Sequence, residues 1–411
     1  NNILRTSGTI AVAAAGLNWS STIITGSTVT VEAGNGYWIN TTSNTCTITL
    51  PSAAEKGDQI VLIDYARTWG TNAIIIDSNG LNYQGDPDTF TVEYTTSGQS
   101  VNIVYSDATK GWVPLEDDVT ALEPVPPPTQ KAIFGFGKNA SNTIVSVTNL
   151  VNSSGVVATD TTGVGTPRLA LAAASYGGDK AIFGYGDTGS VSSLTNLVSN
   201  SGVVASDVTG VGTARSGIAA AEYGGDKAIF GYGGGSSITN LVNSSGVVAT
   251  NTTGVGTARN NLAAAGYGND KAIFGYGNSP NTNITNLVSN VGVVGTDVTG
   301  VGTARADLAA AEYGGDKAIF AYGQGSGNKS LKNLVSNTGV VAADVTGVGT
   351  ARAYLAATSY GGDKAIFGYG LNGGNVSMTN LVNSSGVVGS DVTGVGMARR
   401  QLTAAGYSTS A

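Results

Sequence analysis

The chain has 411 residues, of which 41% are apolar and only 11% are charged, with 61 glycines and no histidine. This length allows two or three domains with buried cores, and the scarcity of charge leaves solubility to Ser, Thr, Asn and Gly. The net charge of −7, without any cluster of Lys or Arg, argues against nucleic-acid binding, and no apolar run reaches the ~18 residues that span a bilayer.

The first part of the chain is predicted to hold an extended arm and an all-β domain. It begins at Asn1 rather than at Met, which we interpret as a processed or incomplete N-terminus. Runs rich in β-branched and aromatic residues, separated by Gly, Asn, Pro and Asp, predict strands. These runs are residues 45–50, 60–64, 73–76, 90–94 and 101–105. We therefore predict an extended arm over residues 1–29 and a β-sandwich over residues 30–120.

Four segments of this predicted sandwich carry a distinctive pattern. They are Gly36-Tyr-Trp-Ile-Asn-Thr-Thr, Ile48-Thr-Leu-Pro, Gly57-Asp-Gln-Ile-Val-Leu-Ile-Asp-Tyr and Asp107-Ala-Thr-Lys-Gly-Trp. Over residues 30–118 the pattern resembles a module common in tail fibres and other structural proteins of marine bacteriophages. The resemblance implies an attachment and trimerisation module of a virion protein. Such a protein is a homotrimer, contacts other virion structural proteins and displays its downstream domain outward from the particle surface or tail fibre.

A proline-rich segment follows, Glu123-Pro-Val-Pro-Pro-Pro-Thr-Gln130. Proline has no N–H to donate to a sheet, and consecutive prolines favour the extended polyproline conformation. Residues 121–130 are therefore predicted to be a stiff linker.

Six near-copies of one sequence unit fill the rest of the chain. The string Lys-Ala-Ile-Phe recurs from Lys131 at spacings of 49, 47, 44, 46 and 47 residues. Each copy continues with Gly-Phe/Tyr-Gly (Ala-Tyr-Gly in the fifth), a variable loop, Asn-Leu-Val, Val-Val, Thr-Gly-Val-Gly, an Arg and a run rich in Ala. Four short strand candidates in a unit of this length, without helical periodicity, are typical of a propeller blade.

The two ends of the repeat region predict how it closes. The region opens at the second strand of a unit, at Lys131, and finishes after a first strand, at residues 399–407. One unit must then be assembled from both ends. We therefore predict an all-β chain with a six-bladed propeller over residues 131–411, closed by pairing of residues 399–406 with residues 131–136. The order of Arg, small apolar run, turn, apolar strand and Gly-aromatic-Gly resembles the kelch type of propeller repeat, although here an aromatic residue separates the glycines.

The loops between Gly-aromatic-Gly and Asn-Leu-Val differ in length and sequence, whereas their flanks barely change. In an up-and-down blade all six loops project from one end, and variable loops on a fixed scaffold are where binding usually occurs. Neutral drift is the alternative interpretation. The candidate receptor-binding residues are Lys138, Asn139, Asp187, Ser190, Ser236, Asn281, Asn283, Gln324, Asn328, Lys329, Asn372 and Asn375.

Two further sets of side chains recur once per unit. Six arginines precede the Ala-rich runs, where they could line one mouth of a central channel and attract an anion, or form ion pairs between blades. We favour ion pairs, with the acid that ends the fourth strand, although one unit has Asn251 there. The aromatic residues of Gly-aromatic-Gly stand beside the loops and could instead pack between blades. The arginines are Arg168, Arg215, Arg259, Arg305, Arg352 and Arg399, and the aromatic residues are Phe136, Tyr185, Tyr232, Tyr276, Tyr322 and Tyr369.

The residues argue against catalysis. The absence of histidine removes the usual general base, triad member and metal ligand together, and the single Cys46 provides neither a disulfide nor a cysteine-based metal site. Asp86 and Asp88 could hold a cation, but we favour a solvated turn. No enzyme activity, cofactor or metal is predicted.

We hold three hypotheses for the function. The first is a bacteriophage fibre or adhesin whose propeller binds a host-surface polysaccharide or protein. The second is a capsid- or tail-decorating protein without a receptor. The third, an enzyme, is disfavoured because the chain lacks histidine and the repeats show no paired carboxylates.

Overall fold

A computed structural model describes residues 17–88, 92–115 and 129–410. These residues form strands, turns and loops, so the predicted all-β class is confirmed. With no helix among them, they include none that could cross a membrane. The chain divides into two compact units, Asn1–Pro127 (unit 1) and Pro128–Ala411 (unit 2).

Unit 1 contains nine described strands in two sheets. The sheets are β1-β3-β5-β8-β9 and β2-β4-β6-β7. The strands are β1 (Asn18–Ile24), β2 (Thr28–Thr30), β3 (Asn35–Ile39), β4 (Cys46–Thr49), β5 (Gln59–Asp64), β6 (Ile74–Asp77), β7 (Val92–Tyr94), β8 (Ser100–Asp107) and β9 (Gly111–Pro114).

The chain crosses from one sheet to the other after each of the first five strands. Strands β1, β3 and β5 therefore run parallel, as do β2, β4 and β6, and the last three strands join antiparallel. Side chains alternate along each strand, so that Ile60 and Leu62 of β5 point into the unit. They join a single core around the fully buried rings of Trp69 and Trp112.

The structure contradicts part of the predicted arm and describes little of the predicted linker. Residues 18–24 and 28–30 are strands of the two sheets rather than an arm, since β1 pairs with β3 and β2 with β4. The sheet structure thus begins at Asn18 instead of residue 30. Residues 1–16 of the predicted arm, and most of the predicted linker, lie outside the described residues.

Unit 2 contains six three-stranded antiparallel sheets. Their strand orders are β33-β10-β12, β13-β14-β15, β16-β17-β18, β19-β20-β21, β22-β23-β26 and β27-β28-β31, and short ribbons are formed by β11-β32, β24-β25 and β29-β30. The strands are β10 (Lys131–Gly135), β11 (Lys138–Asn139), β12 (Thr148–Val151), β13 (Ala172–Tyr176), β14 (Lys180–Gly184), β15 (Thr195–Val198), β16 (Ala219–Tyr223), β17 (Lys227–Gly231), β18 (Thr239–Val242), β19 (Ala263–Tyr267), β20 (Lys271–Gly275), β21 (Thr285–Val288), β22 (Ala309–Tyr313), β23 (Lys317–Ala321), β24 (Gln324–Gly325), β25 (Gly327–Asn328), β26 (Lys332–Val335), β27 (Ala356–Tyr360), β28 (Lys364–Gly368), β29 (Leu371–Asn372), β30 (Gly374–Asn375), β31 (Thr379–Val382), β32 (Arg399–Arg400) and β33 (Thr403–Tyr407).

The first and last long strands of unit 2 belong to one sheet. Strand β33 pairs with β10 from Lys131↔Tyr407 to Gly135↔Thr403, as the offset of the repeats predicts. The Ala-rich first strands of the sheets also lie side by side in chain order, and β33 contacts both β27 and β13. Small side chains allow this close approach, whereas Ala-Ile-Phe on each middle strand is buried on both faces.

The predicted fourth strand of each sequence repeat in unit 2 is not a continuous strand. In the sheet that begins with β13, the segment after β15 meets that strand through isolated bridges, Val198↔Val204 and Thr195↔Val208, instead of a continuous ladder. The side-chain amide of Asn196 donates to the Ala205 carbonyl oxygen at 3.0 Å and so fills the gap between the bridges. A side chain has replaced part of the backbone ladder, which strand propensity does not reveal.

Candidate functional site

The predicted receptor-binding residues all lie in the loops that follow Gly-aromatic-Gly. Lys138 and Asn139 form β11, Gln324 and Asn328 lie in β24 and β25, Asn372 and Asn375 lie in β29 and β30, and Asp187, Ser190, Ser236, Asn281, Asn283 and Lys329 lie between strands. The side chains of Ser190, Asn281, Gln324 and Asn372 are exposed, and the others are half-buried.

The base of each loop pairs with the residue that follows a buried arginine. The contacts are Lys138↔Arg400, Leu169↔Asp187, Asn260↔Asn278, Ala306↔Gln324 and Ala353↔Leu371, with a hydrogen bond from Gly234 N–H to the Ser216 oxygen in the remaining loop. These partners all stand just before the first strands. The loops therefore share one end of unit 2, which we call the loop end; the Tyr-Gly-Gly/Asn-Asp turns lie at the other, the hairpin end.

Seven of the twelve side chains make hydrogen bonds within the described residues. Those of Asn139, Asp187, Ser236 and Lys329 stay inside their own loops, whereas three asparagines bond to other parts of the fold. The amide of Asn283 donates to the Gly302 oxygen at 2.6 Å. Asn328 and Asn375 each donate at 2.9 Å to a carbonyl oxygen in the next loop, that of Leu371 or Lys138. These three asparagines therefore serve the fold, so part of the variation between the loops is structural. The remaining loop residues stay candidates.

The six arginines do not line a channel mouth. Their side chains are almost completely buried, so the anion-binding alternative is wrong. Arg305 shows the arrangement that it shares with Arg215 and Arg259: its Nε donates to the Tyr322 oxygen and its Nη2 to Asn333 Oδ1, both at 2.8 Å. Its Cζ also lies 4.3 Å from the centre of the Tyr276 ring. Burial lowers the pKa of Arg305, while Tyr276 and then Asp344 act to raise it.

Ion pairs are found in three of the five repeats that carry the acid, but within a sheet rather than between sheets. Arg305 Nη1 lies 3.9 Å from Asp344 Oδ1, and both residues flank the sheet that begins with β22. The Tyr276 ring beneath the guanidinium belongs to the preceding sheet. Each arginine therefore joins two sheets by hydrogen bonds on one side and a cation–π contact on the other.

The sequence repeat that carries Asn251 in place of the aspartate shows what this aspartate contributes. Thr213 N–H donates to Asn251 Oδ1 at 3.1 Å, and the Asn251 amide donates to Thr213 Oγ1 at 2.7 Å. In the other units an aspartate makes the corresponding bonds, for example Asp344 with Thr303. Arg215 keeps its bonds to Tyr232 and Asn240 without a carboxylate. This explains why the arginine persists where the acid is absent.

The aromatic residues beside the loops pack between sheets and are not available to a ligand. Tyr276 is fully buried, its ring centre lies 5.1 Å from that of Phe320, and its hydroxyl donates to the Val301 oxygen at 3.1 Å. The other five make the equivalent ring contact. The packing interpretation of these rings is thus the correct one.

The first strands enclose a narrow cavity of about 160 Å³ lined largely by alanine. Near its hairpin end stand Glu222 and Glu312, with Gly266 between them in the order of the sheets. Burial raises the pKa of Glu222 to about 8, helped by Glu312, and raises that of Glu312 to about 7. The expectation that the repeats lack paired carboxylates is therefore wrong. Ligand pockets usually exceed about 300 Å³, so the cavity is too small for a substrate.

The loop end of the cavity carries a feature that sequence reasoning missed. Six residues, each two positions after a buried arginine, donate their N–H to the carbonyl oxygen of the preceding member at 2.8 or 2.9 Å, and Ala170 donates to Gln401 to complete the circuit. All six have φ between 50° and 64°. We call this set the left-handed ring: Ala170, Gly217, Asn261, Asp307, Tyr354 and Gln401. The sequence shows that the residue at this position varies between the repeats. It does not reveal the left-handed conformation, because only one of the six residues is glycine.

The described ranges contain no group of three or more His, Cys, Asp or Glu side chains that could hold a metal ion. In the Gly-Asp-Pro-Asp segment the exposed Asp88 carboxylate accepts hydrogen bonds from Ser78 Oγ and Gly80 N–H, both at 2.8 Å. No protein-family model matches the chain, and no curated protein matches it in sequence.

Proposed function

We propose that the protein is a bacteriophage virion fibre or adhesin that presents a six-bladed, kelch-like β-propeller to a host surface. Unit 1 would be the β-sandwich that attaches and trimerises, joined to other virion structural proteins, and unit 2 the propeller. The ligand would be a host-surface polysaccharide or protein. No catalytic step is included in this proposal.

Three contacts in unit 2 support the proposed propeller. The first strands are neighbours in cyclic order, β33 and β10 pair across the two ends, and the left-handed ring connects the starts of all six first strands. An open array of sheets would leave two exposed faces and two unpaired ends, which natural β proteins avoid. A closed propeller accounts for all three contacts with the same geometry in every unit.

The observation that carries the function is the contrast between the loops and their scaffold. The middle strand pairs with the third strand in the same register in all six sheets. The buried Arg and aromatic residues also make similar contacts in every sequence repeat. The loops, by contrast, form different ribbons and turns at a single end. A rigid scaffold with variable loops at one end suits the recognition of an external ligand.

The second candidate is a decorating protein without a receptor, and one observation favours it. Asn283, Asn328 and Asn375 hold the loops to the fold, so part of the loop variation serves structure.

Exchanging the loops separates the two candidates. We expect that replacing the other five loops by residues 234–238 abolishes adsorption to host cells while the protein still folds, with a melting temperature lowered by the loss of the hydrogen bonds of Asn283, Asn328 and Asn375. Each polar contact contributes only about 1 kcal/mol, so attachment needs several loops, with avidity adding a factor of roughly 10² to 10⁴. Single loop substitutions should have little effect. As a control, Gly315→Ala at the hairpin end, where φ is 80°, should lower stability without changing adsorption.

Full adsorption by the loop-exchanged protein would favour the decorating role instead.

Assembly is tested on the full chain. The outer face of the five-stranded sheet in unit 1 exposes Trp19 by 43% and Ile23 by 38%, and the Trp19 and Trp38 rings stack at 4.9 Å. We expect light scattering to give the mass of a trimer, and the double variant Trp19→Ser, Ile23→Ser to lower it. A monomer at micromolar concentration would contradict the trimer.

A further inference from the structure

The backbone of the left-handed ring does not require side chains. A left-handed φ is readily adopted by glycine and is unfavourable for most other residues. Gly217 shows that glycine satisfies the hydrogen bonds of the ring. Five of the six positions nevertheless carry a side chain, including alanine at φ 50° and tyrosine at φ 57°. Strained positions of this kind concentrate where a side chain serves binding.

The side chains divide the ring into two arcs. Ala170 and Gly217 are adjacent and small, and the side-chain oxygen of Asn261 lies over Gly217, 2.5 Å from where a Cβ would stand. The next four members, Asn261, Asp307, Tyr354 and Gln401, are consecutive and polar, and all four are half-buried. The loops pair just outside the ring, so these polar side chains stand on the floor that the loops surround.

The polar arc is only partly satisfied by the protein. The Tyr354 hydroxyl interacts with the Asp307 carboxylate, and this interaction acts to lower the pKa of Asp307. Burial has the larger effect and raises that pKa to about 7. Within the described ranges, the amides of Asn261 and Gln401 make no hydrogen bond. Arg400, the nearest cation in sequence, is held at 3.0 Å by the side-chain oxygens of Asn375 and Asn142.

This set of groups matches one class of ligand. Amides and a carboxyl group can donate to and accept from neighbouring hydroxyls, and an aromatic ring offers an apolar face with a polar edge. None of the six ring residues is basic, and the neighbouring Arg400 is already bonded, so an anion is not favoured. A pyranose has both the hydroxyls and the apolar C–H face that such a floor accommodates.

We propose that the polar arc of the left-handed ring binds one neutral saccharide unit. Tyr354 stacks on the sugar, and Asn261, Asp307 and Gln401 bond to its hydroxyls, while the sugar extends toward Ala170. The inference rests on the proposed function, of which it names the ligand class and the floor of the site.

The test uses the full chain and a panel of methyl glycosides of glucose, galactose, mannose, rhamnose, N-acetylglucosamine and N-acetylgalactosamine. We expect saturation-transfer difference NMR to detect at least one of them with the native protein. The double variant Asp307→Gly, Gln401→Gly should lose at least about tenfold in affinity, because several hydrogen bonds are removed. Its melting temperature should stay equal or rise, because glycine relieves the left-handed strain.

The matched control is Ala170→Gly, which relieves the same strain but removes no polar group, and it should bind as the native protein does. A separate variant, Tyr354→Gly, should lose the glycoside signal even where the double variant is poorly folded. Absence of binding to every glycoside, or full binding by the folded variants, overturns the inference. Glycoside binding and adsorption to host cells test different proposals. If the protein binds a glycoside but does not adsorb to host cells, this inference holds and the proposed function is rejected.

Discussion

At the scale of single residues, the buried arginines hold the sheets in place without depending on their ion pairs. Each guanidinium is held by neutral oxygen atoms in its own sheet and rests on a ring of the preceding one. Burying an ion is costly unless its hydrogen bonds are satisfied. Arg215, which faces Asn251 instead of an aspartate, shows that these neutral partners and the ring are sufficient.

Glu222 makes the stability of unit 2 depend on pH. Its pKa is about 8 in the folded chain, whereas its ordinary value is 4.5. Between pH 4.5 and pH 8 the folded state therefore keeps a proton on Glu222 that the unfolded state has released. A raised pKa of this kind gives stability that is present at low pH and is lost as the pH rises through 8. Glu222→Gln should therefore stabilise the protein above pH 8, by about 2 kcal/mol after allowance for water at the cavity mouth, and have little effect at about pH 4.5.

Chemical unfolding of the native protein and Glu222→Gln at the two pH values measures this difference. Ser359 occupies the equivalent place on β27 without a carboxyl group, so Ser359→Ala should show no such dependence. An equal effect of Glu222→Gln at both pH values would mean that the carboxyl group titrates normally.

At the scale of strands, the sequence was most informative where periodicity and burial coincide. The run Ala-Ile-Phe predicted middle strands, and the phase of the repeats predicted that β33 would pair with β10. In unit 1 the predicted strand at residues 60–64 is β5, Gln59–Asp64. These elements bury apolar side chains in a regular pattern, which is the signal that a single sequence carries.

The strands that were missed have other causes. Strand β1 is exposed at five of its seven residues and forms the edge of its sheet, so no alternation of apolar residues marks it. Strand β9 begins with Gly111 and ends with Pro114, two residue types that are depleted in strands. The candidate site was predicted by loop variability alone. The left-handed ring escaped because its hydrogen bonds join residues about 45 positions apart, in different units.

At the scale of the whole molecule, the repeats depend on one another through their neighbours. The Phe ring of each middle strand packs against the aromatic residue of the preceding unit, and the series returns from Tyr369 to Phe134. Repeat proteins are stabilised largely by such interfaces between adjacent units. In the proposed propeller every repeat would have two neighbours, so no terminal repeat would need a polar cap.

The C-terminal strand is therefore expected to be essential. Deleting residues 397–411 removes β32 and β33, and with them the pairing of β10 and the buried side chains of Arg399, Leu402 and Tyr407. Each large apolar side chain contributes roughly 1.5–3 kcal/mol when buried, and β10 would become an unpaired edge between apolar surfaces. We expect the truncated protein to aggregate or to melt far below the native protein in calorimetry.

A shorter deletion and a peptide complete the test. Thr409 and Ser410 are exposed, so removing residues 409–411 should leave the melting temperature almost unchanged. A synthetic peptide of residues 397–411 should bind the truncated protein by adding the missing strand to β10 and raise its melting temperature in proportion to peptide concentration, because a ligand that binds only the folded state stabilises it. A truncated protein that stays soluble, keeps its native melting temperature and ignores the peptide would show that the two ends of unit 2 do not hold the sheets together.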